Sequence, residues 1–88
     1  KAKMANITLN YRVSSDNSID IPPNNLQNTS VANLKNMIRN NVSYANFDLY
    51  VNDTARDVKK YMDPQNMVLQ YFDINNLRNH IHILVYQR

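Results

Sequence analysis

The stretch Leu69–Arg88, LQYFDINNLRNHIHILVYQR, decides the fold. Its close, Ile81-His82-Ile83-Leu84-Val85-Tyr86, is dense in β-branched and large apolar residues and predicts a strand. Alternation puts Ile81, Ile83 and Val85 on one face and His82, Leu84 and Tyr86 on the other. Neither face is fully polar. The strand is therefore expected in the middle of a sheet, with one surface against a core and the other able to meet something else.

Upstream, residues 6–13 alternate cleanly, with Ile7, Leu9, Tyr11 and Val13 opposite Thr8, Asn10 and Arg12. That pattern predicts a half-buried strand. A polar turn over 14–18 and renewed alternation over 18–21 make it a β-hairpin, which Pro22-Pro23 ends because imides cannot donate to a ladder. A loop is expected over 24–29. Thr29-Ser30 then offers an N-cap for a helix over about 31–40, whose stripe is Val31, Leu34 and Ile38 with Met37 beside it. Asn41 suits its end in place of Gly.

Phe47, Leu49 and Val51 alternate with Asp48 and Tyr50 in a third strand ending at an Asn52-Asp53 turn. Asp53-Thr54 is read as the cap of a short extra helix over about 55–62, with Val58, Tyr61 and Met62 inward and Arg56, Lys59 and Lys60 outward. Asp63-Pro64 stops it. Residues 67–72 fit a short strand or a helical turn equally well. The order is hairpin, helix, strand, short elements, strand. The economical solution is an α+β domain, a mixed sheet of four to five strands crossed by one main helix. The crossover is expected to be right-handed, and the hairpin can flank the last strand, placing it in the middle beside the first.

Composition bounds function. The chain of 88 residues makes one domain, expected over 5–88, with 1–4 a tag or linker. At this size folding buries roughly 60–65% of the extended surface, so a deep catalytic cleft is not expected. The net charge of +3 comes from scattered basic residues, Lys59-Lys60 being the only adjacent pair. A nucleic-acid binder shows a denser stripe. The chain has no Cys, which removes disulfides, thiolate metal sites and a cysteine nucleophile, and points to a reducing setting, cytoplasmic or nuclear. No apolar run reaches membrane-spanning length. Sixteen Asn and no Gly mean that turns needing positive φ fall to Asn or Asp, and phosphate-cradling glycine loops are excluded. Four N-x-S/T sequons, at Asn6, Asn28, Asn41 and Asn52, are what this much Asn yields by chance.

Chemistry-bearing groups are sparse. His80 and His82 share a strand face but lack a Cys or Glu companion, so no metal is expected. No nucleophile–base–orienter set can be drawn, and neither an enzyme nor a cofactor is expected.

Four segments together resemble ubiquitin and ubiquitin-like domains. Thr29-Ser30-Val31-x-x-Leu34-Lys35-x-x-Ile38 is similar to the family's capped helix, and Asn46–Val51 to the strand that follows it. Leu69-x-x-Phe72-x-Ile74 resembles its Leu-x-x-Tyr-x-Ile signature, and Ile81-His82-Ile83-Leu84-Val85 its closing Leu-His-Leu-Val-Leu. The resemblance implies a β-grasp fold and a non-catalytic interaction module. It places Tyr50, His82 and Leu84 at the family's Ile-His-Val recognition patch, with Tyr86 beside them on the exposed face. Partners would be ubiquitin-receptor or proteasome-type proteins met by a monomer, with no membrane involved. The sequence departs from the family in extra residues between Val51 and Leu69, a 14–18 turn without an exposed Leu, and an ending Tyr86-Gln87-Arg88 without Gly-Gly. A conjugated modifier needs that flexible tail, so the expectation is a domain of a larger adaptor or shuttle-type protein in the ubiquitin–proteasome pathway, or else a chain cut short of its tail. The alternative is a basic sheet platform stacking single-stranded nucleic acid on Tyr50 and Tyr86, with Arg12, Lys59 and Arg78 on phosphates.

Overall fold

A computed structural model describes residues 6–53, 56 and 58–88. Five strands form one mixed sheet: β1 (Ile7–Arg12), β2 (Asp16–Ile21), β3 (Phe47–Asp53), β4 (Val58–Tyr61) and β5 (Ile83–Gln87). Their order across the sheet is β2-β1-β5-β3-β4. β5 runs parallel to β1 and antiparallel to β3, so the first and last strands lie side by side in the centre, as expected. One turn of helix, α1 (Pro23–Leu26), and the main helix, α2 (Val31–Ile38), precede β3.

The alternating strands sort as their sequences predict. Leu9 and Tyr11 of β1, Phe47 and Leu49 of β3, and Ile83 and Val85 of β5 are buried with Val31, Leu34 and Ile38 of α2 in one cluster. The helix therefore covers one sheet face, which we call inner. Ile7, Ile19, Val51 and Leu77 pack around the margin.

Local chemistry explains the boundaries. The β1–β2 hairpin closes earlier than expected: Asp16 and Asn17 join the ladder opposite Arg12 and Tyr11, and Arg12 Nε donates to Asp16 at 2.7 Å. Pro22-Pro23 ends β2, but Pro23 opens α1 instead of a loop. A proline at the first helical position gives up an N–H that had no intrahelical partner anyway.

The N-terminus of α2 is satisfied twice over. Ser30 Oγ accepts from the Asn33 amide at 3.1 Å, while the Val31 and Ala32 amides donate to the carbonyls of Asn66 and Pro64. Ser30→Ala should therefore lower stability by about 1 kcal/mol, read as a shift of the urea midpoint with an unchanged slope. No shift would mean that the backbone carbonyls suffice. The helix tightens to a 3₁₀ turn over Arg39–Asn41, where Asn41 Nδ2 donates to the buried Tyr11 hydroxyl at 2.9 Å.

Over its described residues 58–61 the helix expected at 55–62 is a strand instead. Val58–Tyr61 is strand β4, paired antiparallel with β3 from Tyr50↔Tyr61 to Asp53↔Val58; residues 54, 55 and 57 lie outside the described ones. β3 accordingly runs two residues further than expected, through Asn52 and Asp53. The spacing of Val58, Tyr61 and Met62 suits a helical stripe, but so short a run does not distinguish the two structures. The free edge of β3 decides it by supplying backbone partners, and the Met62 amide continues the pairing by donating to the Leu49 carbonyl at 2.9 Å. Met62 is buried as expected, whereas Tyr61 points outward.

Residues 68–70 form a 3₁₀ turn that buries Val68, which resolves the 67–72 ambiguity toward the helical turn. A third 3₁₀ turn, Ile74–Asn76, is capped by Asp73, whose carboxylate accepts from the Asn75 amide at 3.0 Å. Leu69, Phe72 and Ile74 pack partly buried against the core. The final strand starts at Ile83, two residues later than its composition suggests.

Candidate interaction face

The sheet face away from α2 carries the site residues. Register places Leu84 beside Tyr50, Tyr50 beside Tyr61, and Arg12 beside Leu84, so one row reads Arg12–Leu84–Tyr50–Tyr61 across four strands. Tyr86 stands opposite Asp48 in the adjoining row. The three tyrosines form one cluster. The Tyr50 ring lies 5.6 Å from that of Tyr61 and 5.4 Å from that of Tyr86, edge-to-face in both cases. Aromatic quadrupoles favour this geometry, and each such pair adds about 0.5–1.5 kcal/mol beyond area burial. Tyr61 and Tyr86 are 43% and 41% exposed, enough for a partner to cover, while Tyr50 and Leu84 are half-buried between them.

Charges frame the cluster. Lys59 Nζ sits 4.8 Å from the Tyr86 ring centroid, a cation–π contact. Arg88 Nη2 pairs with Asp48 at 2.9 Å, and its Nε donates to the same carboxylate oxygen at 3.0 Å. This carboxylate raises the guanidinium pKa further above its ordinary value. Arg12 is likewise held by Asp16, which keeps that carboxyl below its usual range.

The structure thus brings Tyr50, Leu84 and Tyr86 together and removes His82 from them. His82 shares their parity, yet only 2% of it is exposed. The polar segment after the 3₁₀ turn Ile74–Asn76 folds back over this end of the outer face. His82 Nε2–H donates to the Arg78 carbonyl at 2.6 Å, and the Phe72 and His80 rings pack edge-on at 6.2 and 4.6 Å. Alternation assigns a side chain to a face but says nothing about what later covers that face, and His82 is corrected to a buried position on this ground. Tyr61 is the residue that sequence reasoning missed. A strand reading of Val58–Tyr61 would have put Lys59 and Tyr61 on one face and revealed it.

Beside His82 lies a cleft of about 300 Å³ walled by Val51, Asn52, Phe72, Leu77 and His80 among others. Among the described residues no three His or Asp side chains gather as a metal-ligand group, and no helix is long and apolar enough to cross a membrane. No family model, no curated protein and no solved structure matches the chain.

Proposed function

We propose that this domain is a non-catalytic ubiquitin-like module of β-grasp topology that docks protein partners on its outer sheet face, as part of an adaptor or shuttle-type protein of the ubiquitin–proteasome pathway in the cytoplasm or nucleus. The observation that carries this reading is the exposed Tyr50–Tyr61–Tyr86 cluster beside Leu84. Aromatic side chains with apolar bodies and polar tips are enriched where proteins meet. The pairing of the first and last strands in parallel at the sheet centre, with one helix across the inner face, supports the β-grasp assignment. His82 contributes by shaping the sheet end, and the docking set becomes Tyr50, Tyr61, Leu84 and Tyr86.

The nucleic-acid alternative finds less support. The Tyr50 and Tyr86 rings stand at 79° to each other, so they do not offer successive bases parallel faces. Lys59 also occupies the Tyr86 ring, and Arg12 is bound to Asp16.

Titration of the isotope-labelled chain with a ubiquitin-receptor helix peptide tests the proposal. Saturable shifts are expected at Tyr50, Tyr61, Leu84 and Tyr86, with affinity nearly constant between low and physiological salt. Phosphate neutralisation would instead weaken binding steeply with salt. Shifts confined to other residues, or none at saturating peptide, would sink the assignment.

A further inference from the structure

His82 holds both of its ring nitrogens in backbone hydrogen bonds that admit a single protonation state. The Asn10 amide donates to Nδ1 at 2.9 Å, while Nε2–H donates to the Arg78 carbonyl. A backbone N–H cannot become an acceptor. The imidazole is therefore neutral and carries its proton on Nε2 whenever both bonds are made. A proton on Nδ1 would set two donors against each other at a ring that is only 2% exposed, and the bond from the Asn10 amide must open.

The imidazole is one of several ties that hold the segment 73–81 to the sheet. Its other hydrogen bonds are side-chain amides from the strands flanking β5, Asn10 Nδ2 donating to the His80 carbonyl at 2.8 Å and Asn52 Nδ2 to the Ile81 carbonyl at 3.0 Å, while Ile74 and Leu77 pack partly buried against the core. Such neutral bonds contribute about 1 kcal/mol each. His80 adds a liability, because its Nδ1 is shut off from solvent with no hydrogen-bond partner. Its ring packs edge-on against that of His82, with centroids 4.6 Å apart.

Among the described residues no carboxylate is hydrogen-bonded to either histidine. β1 presents only the amides of Asn10. β3 presents Asn52 and Asp53, whose carboxylate is engaged by the Arg56 amide and, at 3.9 Å, by its guanidinium. The covering segment and the turn before it bring Tyr71, Asp73, Arg78 and His80; Asp73 caps the Asn75 amide, and Arg78 is itself cationic. Burial foremost, and then His80, push the His82 pKa below its ordinary value, against the raising effect of the Arg78 carbonyl.

We propose that neutral His82 is a proton-operated latch holding the 73–81 segment as a strap over the outer face, and that one proton on Nδ1 releases it. Release would uncover the Asn10–His82–Asn52 row, which adjoins the Leu84–Tyr50 row, and so enlarge the open surface in mild acid. The inference stands independently of what docks on the tyrosines.

The sign follows from linkage. The open state takes up its proton near the ordinary histidine value of about 6.5, the latched state only at lower pH. The latch is at full strength above that value and weakens as pH falls between the two, opening rising about tenfold per pH unit.

Hydrogen exchange of the Asn10 amide reads this directly, since that N–H is spent on His82 Nδ1. Between pH 7.5 and 5, protection of Asn10, corrected for intrinsic exchange, should fall at least tenfold while that of Leu49 and Val85 holds. Nitrogen shifts of the His82 ring at pH 7.5 should report the Nε2–H form. His80→Gln should keep the acid response. His82→Asn, which retains an oxygen near the Nδ1 position but cannot titrate, should lose it. Constant Asn10 protection down to pH 5 would overturn the latch, as would parallel loss at Leu49 and Val85, or an acid response abolished by His80→Gln. Should His82→Asn fail to fold, the wild-type ring shifts and His80→Gln still decide.

Discussion

Phe47→Ala is expected to lower folding stability by about 3–5 kcal/mol, the usual range for emptying an aromatic site in a core. Phe47 opens β3, is buried to 1% exposure, and lies in the cluster that joins sheet to helix. Two cations complete its shell: Lys35 Nζ and Arg39 Cζ sit 5.3 and 5.1 Å from the ring centroid. Burial of Lys35 foremost, and the nearby Arg88 and Arg39, depress its pKa, so the ammonium is held there at some electrostatic cost. Removing the ring loses the apolar contact and the cation–π partner together, while the cavity stays bounded by strands that cannot collapse far. A domain of this size has roughly 4–13 kcal/mol of total stability at 0.05–0.15 kcal/mol per residue. The variant should consequently lose a large share of its stability, and nearly all of it if the wild-type value lies at the low end of that range. Chemical denaturation measures it, with Phe47→Leu as the comparison that keeps most of the volume. A loss under 1 kcal/mol for the alanine variant would show that the ring does not anchor the sheet to α2.

Tyr50→Ala is expected to weaken binding of a ubiquitin-receptor helix at least about 30-fold, the effect of a central hot-spot residue worth 2 kcal/mol or more. Tyr50 is the hub, touching both Tyr61 and Tyr86 and pairing with Leu84 across the strand boundary. Its truncation takes away its own contact area and also unseats two neighbours. Stability should fall as well, because two edge-to-face contacts go, but the inner-face core of Leu49 and Val85 remains. Tyr50→Phe keeps the ring and should preserve both stability and most of the affinity. Calorimetry on the three proteins separates the outcomes. Unchanged affinity in the alanine variant would remove the cluster from the docking surface, and global unfolding would reassign Tyr50 to the core.

The proposed acid latch and the proposed docking face meet at β5, with His82 just before the strand and Leu84 within it. His82 and Leu84 share parity, yet one is sealed under a strap and the other half-open beside Tyr50. Strap release would join the two regions into one surface, and partner binding could then be compared at neutral and mildly acidic pH on the same samples.

Much of this molecule is written in local pattern. The alternation of Ile7 to Arg12, the Ser30 cap and the Val31–Leu34–Ile38 stripe, and the run from Ile83 to Val85 each specify an element and its buried side, because period and capping are properties of neighbours in the chain. The parity that puts Tyr50, Leu84 and Tyr86 away from the helix follows in the same way. What only the tertiary structure decided concerns groups whose partners lie far along the chain. Val58–Tyr61 became a strand because β3 had an open edge, and that choice turned Tyr61 outward into the tyrosine cluster. His82 became buried because a polar segment just upstream of it in sequence bonds across β1 and β3, about 70 and 30 residues away. A hydrogen bond at such separation leaves no period in the sequence. The opening stretch thus specified a strand and its two faces, and the fold decided which part of the second face is open and which is closed.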